Sequence, residues 1–292
     1  MQYEIYVTRM KNAIDALQRI GIAAQTTNNE GEVVLCVHGW LDNSNSFTPM
    51  VKRASDSYQW ISIDLKGHGK SQWRSTDAHY YFVDYVYDLL NILDVLEIER
   101  CHLVGHSMGA MVCGLFSSLY PQRVKSLTMI EGFGLVCTPE QEIRKQILEA
   151  FEHRQASDKF KKRLYANFAT LVTARSNAGD LTQEDAALLM QRNSQQVEGG
   201  FYLTFDPRLK TASAIRFSVT QAKAVLEEVT TPSLLVVSDK GYDFVKNNRD
   251  LFIEGFKQIT VEEVSGGHHC HMGNPQQCIS LIEQHLNRNT VT

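Results

Sequence analysis

Several patterns that would settle a protein's class are missing from this 292-residue chain. No stretch approaches the roughly 18 consecutive apolar residues of a membrane-spanning helix. The N-terminal MQYEIYVTRMKNAIDAL carries charges throughout and has no apolar centre, so no signal peptide is expected. Neither sign of charge dominates. The 29 basic and 33 acidic side chains leave a formal net charge of -4, which argues against a nucleic-acid surface. Six cysteines (Cys36, Cys101, Cys113, Cys137, Cys270 and Cys278) are scattered singly, with no C-x-x-C pair. Cys36, Cys101 and Cys113 fall in apolar runs, where a thiol acts as a small hydrophobe. The lack of a disulfide framework points to reduced thiols in an intracellular setting. Repeats, linkers and biased segments are absent too. With 43% hydrophobic and 21% charged residues, the composition is that of an ordinary globular protein and excludes disordered or collagen-like chains. The expectation is a soluble, cytoplasmic protein, long enough to bury roughly 75% of its unfolded surface without staples.

What is present is an alternation. Short runs rich in Val, Ile and Leu at 33–37, 61–64, 102–104, 126–130, 233–237 and 260–264 have the length and composition of strands buried on both faces. Between them lie stretches of helical period, such as Phe82, Val86, Leu89, Leu93 and Leu96 on one stripe. A second helix is predicted from Met108 to about Tyr120, ending before Pro121, and a third after Pro275 with Ile279, Ile282 and Leu286 inward. This is the signature of an α/β fold, a mostly parallel sheet flanked by helices. An alternating stretch at 17–25 reads as an antiparallel lead-in strand.

The rhythm breaks across 132–228. Thr138-Pro139-x-Gln141 predicts a helix start with a capping box, followed by an apolar face of Ile143, Ile147, Leu148 and Phe151. Further helices are predicted at 157–174, 182–192 and 218–228, with no clear strand. The domain reading is a core of 1–131 plus 229–292, with 132–228 inserted as a helical cap over a site. Within the cap, the run Lys159-Phe160-Lys161-Lys162-Arg163 reads as a solvated helix face.

The sharpest motif is Gly105-His106-Ser107-Met108-Gly109, a G-x-S-x-G that follows an apolar strand and opens a helix. That setting places a serine on a strained turn, with its hydroxyl raised above the sheet and helix-terminal N–H groups beside it. His38-Gly39-Trp40 ends another apolar strand, so the backbone N–H groups of Trp40 and Met108 can form a two-donor oxyanion hole. After the last strand comes Ser265-Gly266-Gly267-His268-His269-Cys270-His271, where a general base would be delivered. Its histidines lack helical metal-ligand spacing and nearby acids, so no metal site is expected.

In this order the three elements resemble the α/β-hydrolase fold over nearly the whole chain. The run from His38 to Phe47, the run from Asp64 to Ser71, Tyr80-Tyr81-Phe82-Val83-Asp84 and Asp206-Pro207-Arg208-Leu209 are similar to the serine hydrolase-like family. The resemblance implies a Ser–acid–His site with no metal and no organic cofactor. It favours His268 as the base, from the spacing of Gly-His to Pro275, with His269 as the alternative and His271 as a pocket or structural residue. For the acid, many relatives use the loop after 233–237, which offers Asp239 and Asp243. Haloalkane dehalogenases, a cousin group, place a glutamate one strand earlier, where Glu131 stands here. Glu131 is therefore preferred, with Asp239 and Asp243 as alternatives. Ser107, Trp40 and Met108 replace the dehalogenase nucleophile and halide ligands, which argues against dehalogenase or epoxide hydrolase chemistry. Asp64 reads as structural, pairing with loop backbone near Gly67 and Gly69, and Tyr80 and Tyr81 as cover for the core edge.

The functional expectation is a serine hydrolase acting on carboxylic esters or similar small acyl substrates through Ser107, Glu131 and His268 and an acyl-enzyme. Lactone or carbon–carbon bond hydrolysis is the nearest variant. The rival is a receptor-like α/β-hydrolase that binds a ligand with negligible turnover. The sequence does not fix an oligomeric state.

Overall fold

The computed structural model describes residues 13–157 and 163–290. The N-terminal residues 1–12 and residues 159–162 of the basic run discussed above lie outside them. A helix through 13–19 (α1) leads to β1 (Ala23–Thr26), β2 (Glu32–Val37), a short helix α2 (Thr48–Val51) and β3 (Tyr58–Asp64). Then come α3 (Phe82–Val95), β4 (Cys101–His106), α4 (Met108–Leu119) and β5 (Val124–Ile130). The chain returns to this sheet only at β8 (Ser233–Ser238), followed by α9 (Asp243–Phe252), β9 (Ile259–Val264), α10 (Cys270–Gly273) and α11 (Pro275–Asn289). The seven strands lie in the order β1-β3-β2-β4-β5-β8-β9. Only β1 is antiparallel to its neighbour.

Side chains alternate across the central strands, and both faces are buried. Leu35, Leu103 and Leu127 face α3 and α4, packing with Leu89, Ile92, Val112 and Phe116. Val34, Cys36, Val104 and Ile130 face the other layer, with Trp60, Ile279, Ile282 and Leu286. All six cysteines are free thiols, and all but Cys137 are buried. Among the described residues no helix is long and apolar enough to cross a membrane.

The lead-in reading at 17–25 needs correction. Only Ala23–Thr26 is a strand, and Leu17 belongs to α1. Gly21, at φ +76°, ends that helix in the left-handed region, and the Ile22 N–H returns to the Leu17 carbonyl at 2.9 Å. The apolar alternation there joined the last turn of a helix to the first residue of a strand.

Between β5 and β8 the chain forms α5 (Ile143–Ser157), α6 (Phe168–Asn177), α7 (Gln183–Asn193), a hairpin of β6 (Ser194–Val197) and β7 (Gly200–Leu203), and α8 (Val219–Val225). The hairpin was not anticipated. The predicted capping box at Thr138 is absent: Glu140–Glu142 is a single 3-10 turn, and Thr138 donates its N–H to the Phe217 carbonyl instead. The α5 face differs too. Ile143, Leu148 and Phe151 are exposed, while Gln146 and Ala150 turn inward and the Gln146 amide donates to the Ser213 carbonyl. Of the helix predicted at 157–174, Ser157 ends α5, residues 163–167 are not helical and α6 starts at Phe168, capped by Asn167, whereas Thr182 and Ser218 cap α7 and α8 at the expected places.

Polar contacts fasten this stretch over the carboxyl ends of the strands. Asn43 and Asn45 donate to the carbonyls of Leu189 and Leu188, and Trp40 Nε1 donates to the Leu209 carbonyl at 3.0 Å. Arg192 on α7 reaches Asp64 Oδ2 at 2.7 Å, and Asp64 also accepts the Ser44 and Lys70 N–H groups. Asp64 is thus structural, as expected, with an arginine partner that the sequence did not announce.

Candidate active site

The β4–α4 turn is made by close packing. Ser107 sits at φ +52°, ψ −118°, and its N–H donates to the Ile130 carbonyl at 2.8 Å. Glycines on both sides make room: a Cβ on Gly105 would lie 2.5 Å from Ala110 backbone, and one on Gly109 would lie 2.1 Å from the Val37 carbonyl oxygen. Ser107 is left half-buried at the top of the sheet. A Cβ on Gly39 would come 3.1 Å from Ser107 Cβ, so the backbone leading into Trp40 borders the serine, while Met108 opens α4 directly after it.

His268 arrives from the loop after β9. Its Nε2 lies 2.9 Å from Ser107 Oγ and its Nδ1 3.3 Å from Glu131 Oε2. With the carboxylate ionised, Nδ1 carries the proton and donates to Glu131, leaving Nε2 to accept the serine O–H. Tyr242 stacks on the same ring at 4.2 Å and 20°. Glu131 is buried directly after β5. Its Oε1 accepts the Ser238 N–H at 2.7 Å, and its backbone is held at φ +48° by a bond from its N–H to the Val236 carbonyl. A buried carboxylate is tolerable only with such partners.

The other acids lie elsewhere. Asp239 Oδ1 accepts the Gly266 N–H at 2.8 Å, and Asp243 stands in the first turn of α9. His269, the alternative base, commits both ring nitrogens to carboxylates, Nδ1 at 2.5 Å from Asp180 and Nε2 at 3.1 Å from Asp42. Burial alone would lower its pKa, but the two acids outweigh burial and raise it to about 9. Asp42, also salt-bridged to Arg175 at 2.7 Å, is held well below the usual carboxylate range although burial works against ionisation. His106 and His271 shift the other way, through burial and then the neighbouring imidazoles, His271 to about 3. Asp42, His106 and His269 bring ligand-type atoms within 4.8 Å of one another. With both His269 nitrogens taken, the trio forms part of a salt-bridged network.

These groups open on a cleft of about 720 Å³ lined by Ser107, His268, Trp40 and Tyr242 from the sheet side. Tyr165, Leu171, Arg175, Met190, Leu203 and Phe205 from the inserted stretch form the opposite wall.

The α/β-hydrolase fold family matches residues 32–275. The chain belongs to that family. Over 268 residues this α/β-hydrolase is 30% identical to a serine hydrolase-like protein of Danio rerio, spanning 88% of this chain and 82% of that one, which identifies the serine hydrolase-like family. It is 27% identical over 274 residues to serine hydrolase-like protein 2 of Homo sapiens, covering 88% and 87% of the two chains. Among solved structures, a hypothetical protein of Pseudomonas aeruginosa PAO1 superposes with a TM-score of 0.83 at 30% identity, covering 90% of this α/β-hydrolase and 93% of its own chain. The motifs did not single out His106, Asp42, Arg175, Asp180 or Tyr242. Two of these had a signal: His106 is the variable residue inside G-x-S-x-G, and Asp42 lies in the run after His38.

Proposed function

We propose that this α/β-hydrolase is a serine hydrolase that cleaves carboxylic esters or similar acyl substrates. The observation that carries the reading is the line from Ser107 Oγ to His268 Nε2 at 2.9 Å and from His268 Nδ1 to Glu131 Oε2 at 3.3 Å, at the floor of a cleft. His268 accepts the serine proton as Oγ attacks the carbonyl carbon, and the Trp40 and Met108 N–H groups stabilise the oxyanion. As the tetrahedral intermediate collapses, His268 returns the proton to the leaving group. Water then cleaves the acyl-enzyme by the same steps, with Glu131 stabilising the imidazolium formed each time. In this reading 1–131 and 229–292 form the catalytic core, and 132–228 is a cap that shapes the acyl pocket.

A fluorophosphonate probe with burst kinetics on a short p-nitrophenyl ester tests the reading. Rapid labelling followed by sustained turnover is the expected result. Labelling with a single slow turnover would instead support the receptor-like alternative. If 132–228 sets specificity, shortening Leu171, Met190 or Leu203 should move the preferred acyl length, by roughly 1–3 kcal/mol per methylene-sized change. An unchanged kcat/KM profile across a chain-length series would remove the cap from the specificity argument.

A further inference from the structure

His268 is delivered by a glycine-rich loop anchored at Gly266 by Asp239 Oδ1 and the Lys240 N–H and closed by the Cys270 N–H on the Gly267 carbonyl. It is preceded by Ser265-Gly266-Gly267, with Gly266 at φ +139°, so its own side chains give it little to pack with. At the two residues flanking His268 a further grip comes from the inserted stretch. Asp180, between α6 and α7, accepts the His269 N–H on Oδ2 at 3.0 Å and the His269 ring on Oδ1 at 2.5 Å. The same Oδ2 lies 2.2 Å from where a Cβ on Gly267 would be, so Asp180 presses on the chain at both residues flanking His268. From the core side, His106 Nε2–H donates to the His268 carbonyl at 2.9 Å.

The charge pattern matches this grip. Neutral imidazole has one N–H and could donate to only one of Asp42 and Asp180. With both carboxylates bound, the ring is an imidazolium, and Arg175 brings the network to two positive and two negative charges. The remaining groups facing it are the His106, His268 and His271 rings, at centroid distances of 5.0, 5.4 and 6.1 Å.

We propose that Asp180 and the His269 imidazolium are positioning residues: through Asp180, the inserted stretch holds the loop that presents His268 to Ser107. This rests on the reading of His268 as the base. Because the His269 pKa is raised in the fold, the grip is intact below the ordinary histidine value of ~6.5 and is lost as pH climbs through about 9. A deprotonated ring would leave one carboxylate without a donor, and the loop would lose an anchor beside the base.

Two measurements on the intact chain test this. Followed by NMR, the wild-type His269 ring should stay charged to about pH 9. Titration near ~6.5 would overturn the inference whatever the catalytic behaviour. Second, the rate at which a fluorophosphonate labels Ser107 should fall on the alkaline side with a midpoint of about 9. Asp180→Asn should slow labelling at least ~10-fold near neutral pH and move the alkaline fall lower by about a unit or more, with kcat affected more than KM. Asp180→Glu should recover part of the rate. A uniform loss at every pH, with the alkaline limb unmoved, would make Asp180 merely structural and defeat the proposal. If Asp180→Asn does not fold, the wild-type titration and alkaline limb still decide. Wild-type protein that never labels would instead bring down the hydrolase reading, and the positioning role with it.

Discussion

Ser107→Ala is expected to lose ester turnover by a factor on the order of 10⁶, the loss seen when the nucleophile of a triad is removed. Fluorophosphonate labelling should disappear with it. The fold should survive, because Ser107 is half-buried at the cleft and its backbone geometry is enforced by Gly105, Gly109 and the Ile130 carbonyl. Near-normal hydrolysis by a purified, folded variant would show that the nucleophile is elsewhere.

Glu131→Gln should cost at least ~10²-fold and up to ~10⁴-fold in kcat, with little change in stability. The argument is one of proton placement. Ser238 N–H donates to Oε1, so a glutamine would keep its carbonyl oxygen there and turn its NH2 toward His268 Nδ1. That arrangement fixes the tautomer with the proton on Nε2, pointing at Ser107, where no base then remains. Asp239→Asn should fall by less than ~10-fold, because an asparagine oxygen can still accept the Gly266 N–H, and Asp243→Asn likewise changes only a helix first turn. Loss of activity in Asp239→Asn or Asp243→Asn alongside an active Glu131→Gln would reassign the acid.

The central sheet was legible because strands buried on both faces leave uninterrupted apolar runs, and because G-x-S-x-G needs its strand and helix neighbours. Glu131 was visible only through resemblance: nothing local marks a carboxylate that pairs across 137 positions. The inserted stretch was read least well. Its helices share short faces, so the exposed Ile143, Leu148 and Phe151 suggested an inward side that α5 does not use. The hairpin did leave a trace, in the two-residue Glu198-Gly199 turn with Gly199 at φ +81°, but its strands are four residues each and half-exposed. Asp180 had no signal, since its partners are supplied by chain 89 residues away.

Among the described residues, four that are not glycine adopt positive φ, and Leu41, Ser107 and Glu131 are three of them. Such conformations cost on the order of 1–3 kcal/mol each and persist only where the surroundings impose them. The consequence is evolutionary. With Ser107 as the proposed nucleophile, selection for turnover and selection for folding would pull in opposite directions at that position, because a glycine would relax the turn while removing the hydroxyl. A lineage released from the need for catalysis would therefore drift toward glycine there while its buried sheet stayed intact. Decay of function in such a lineage would begin as a gain in thermal resistance.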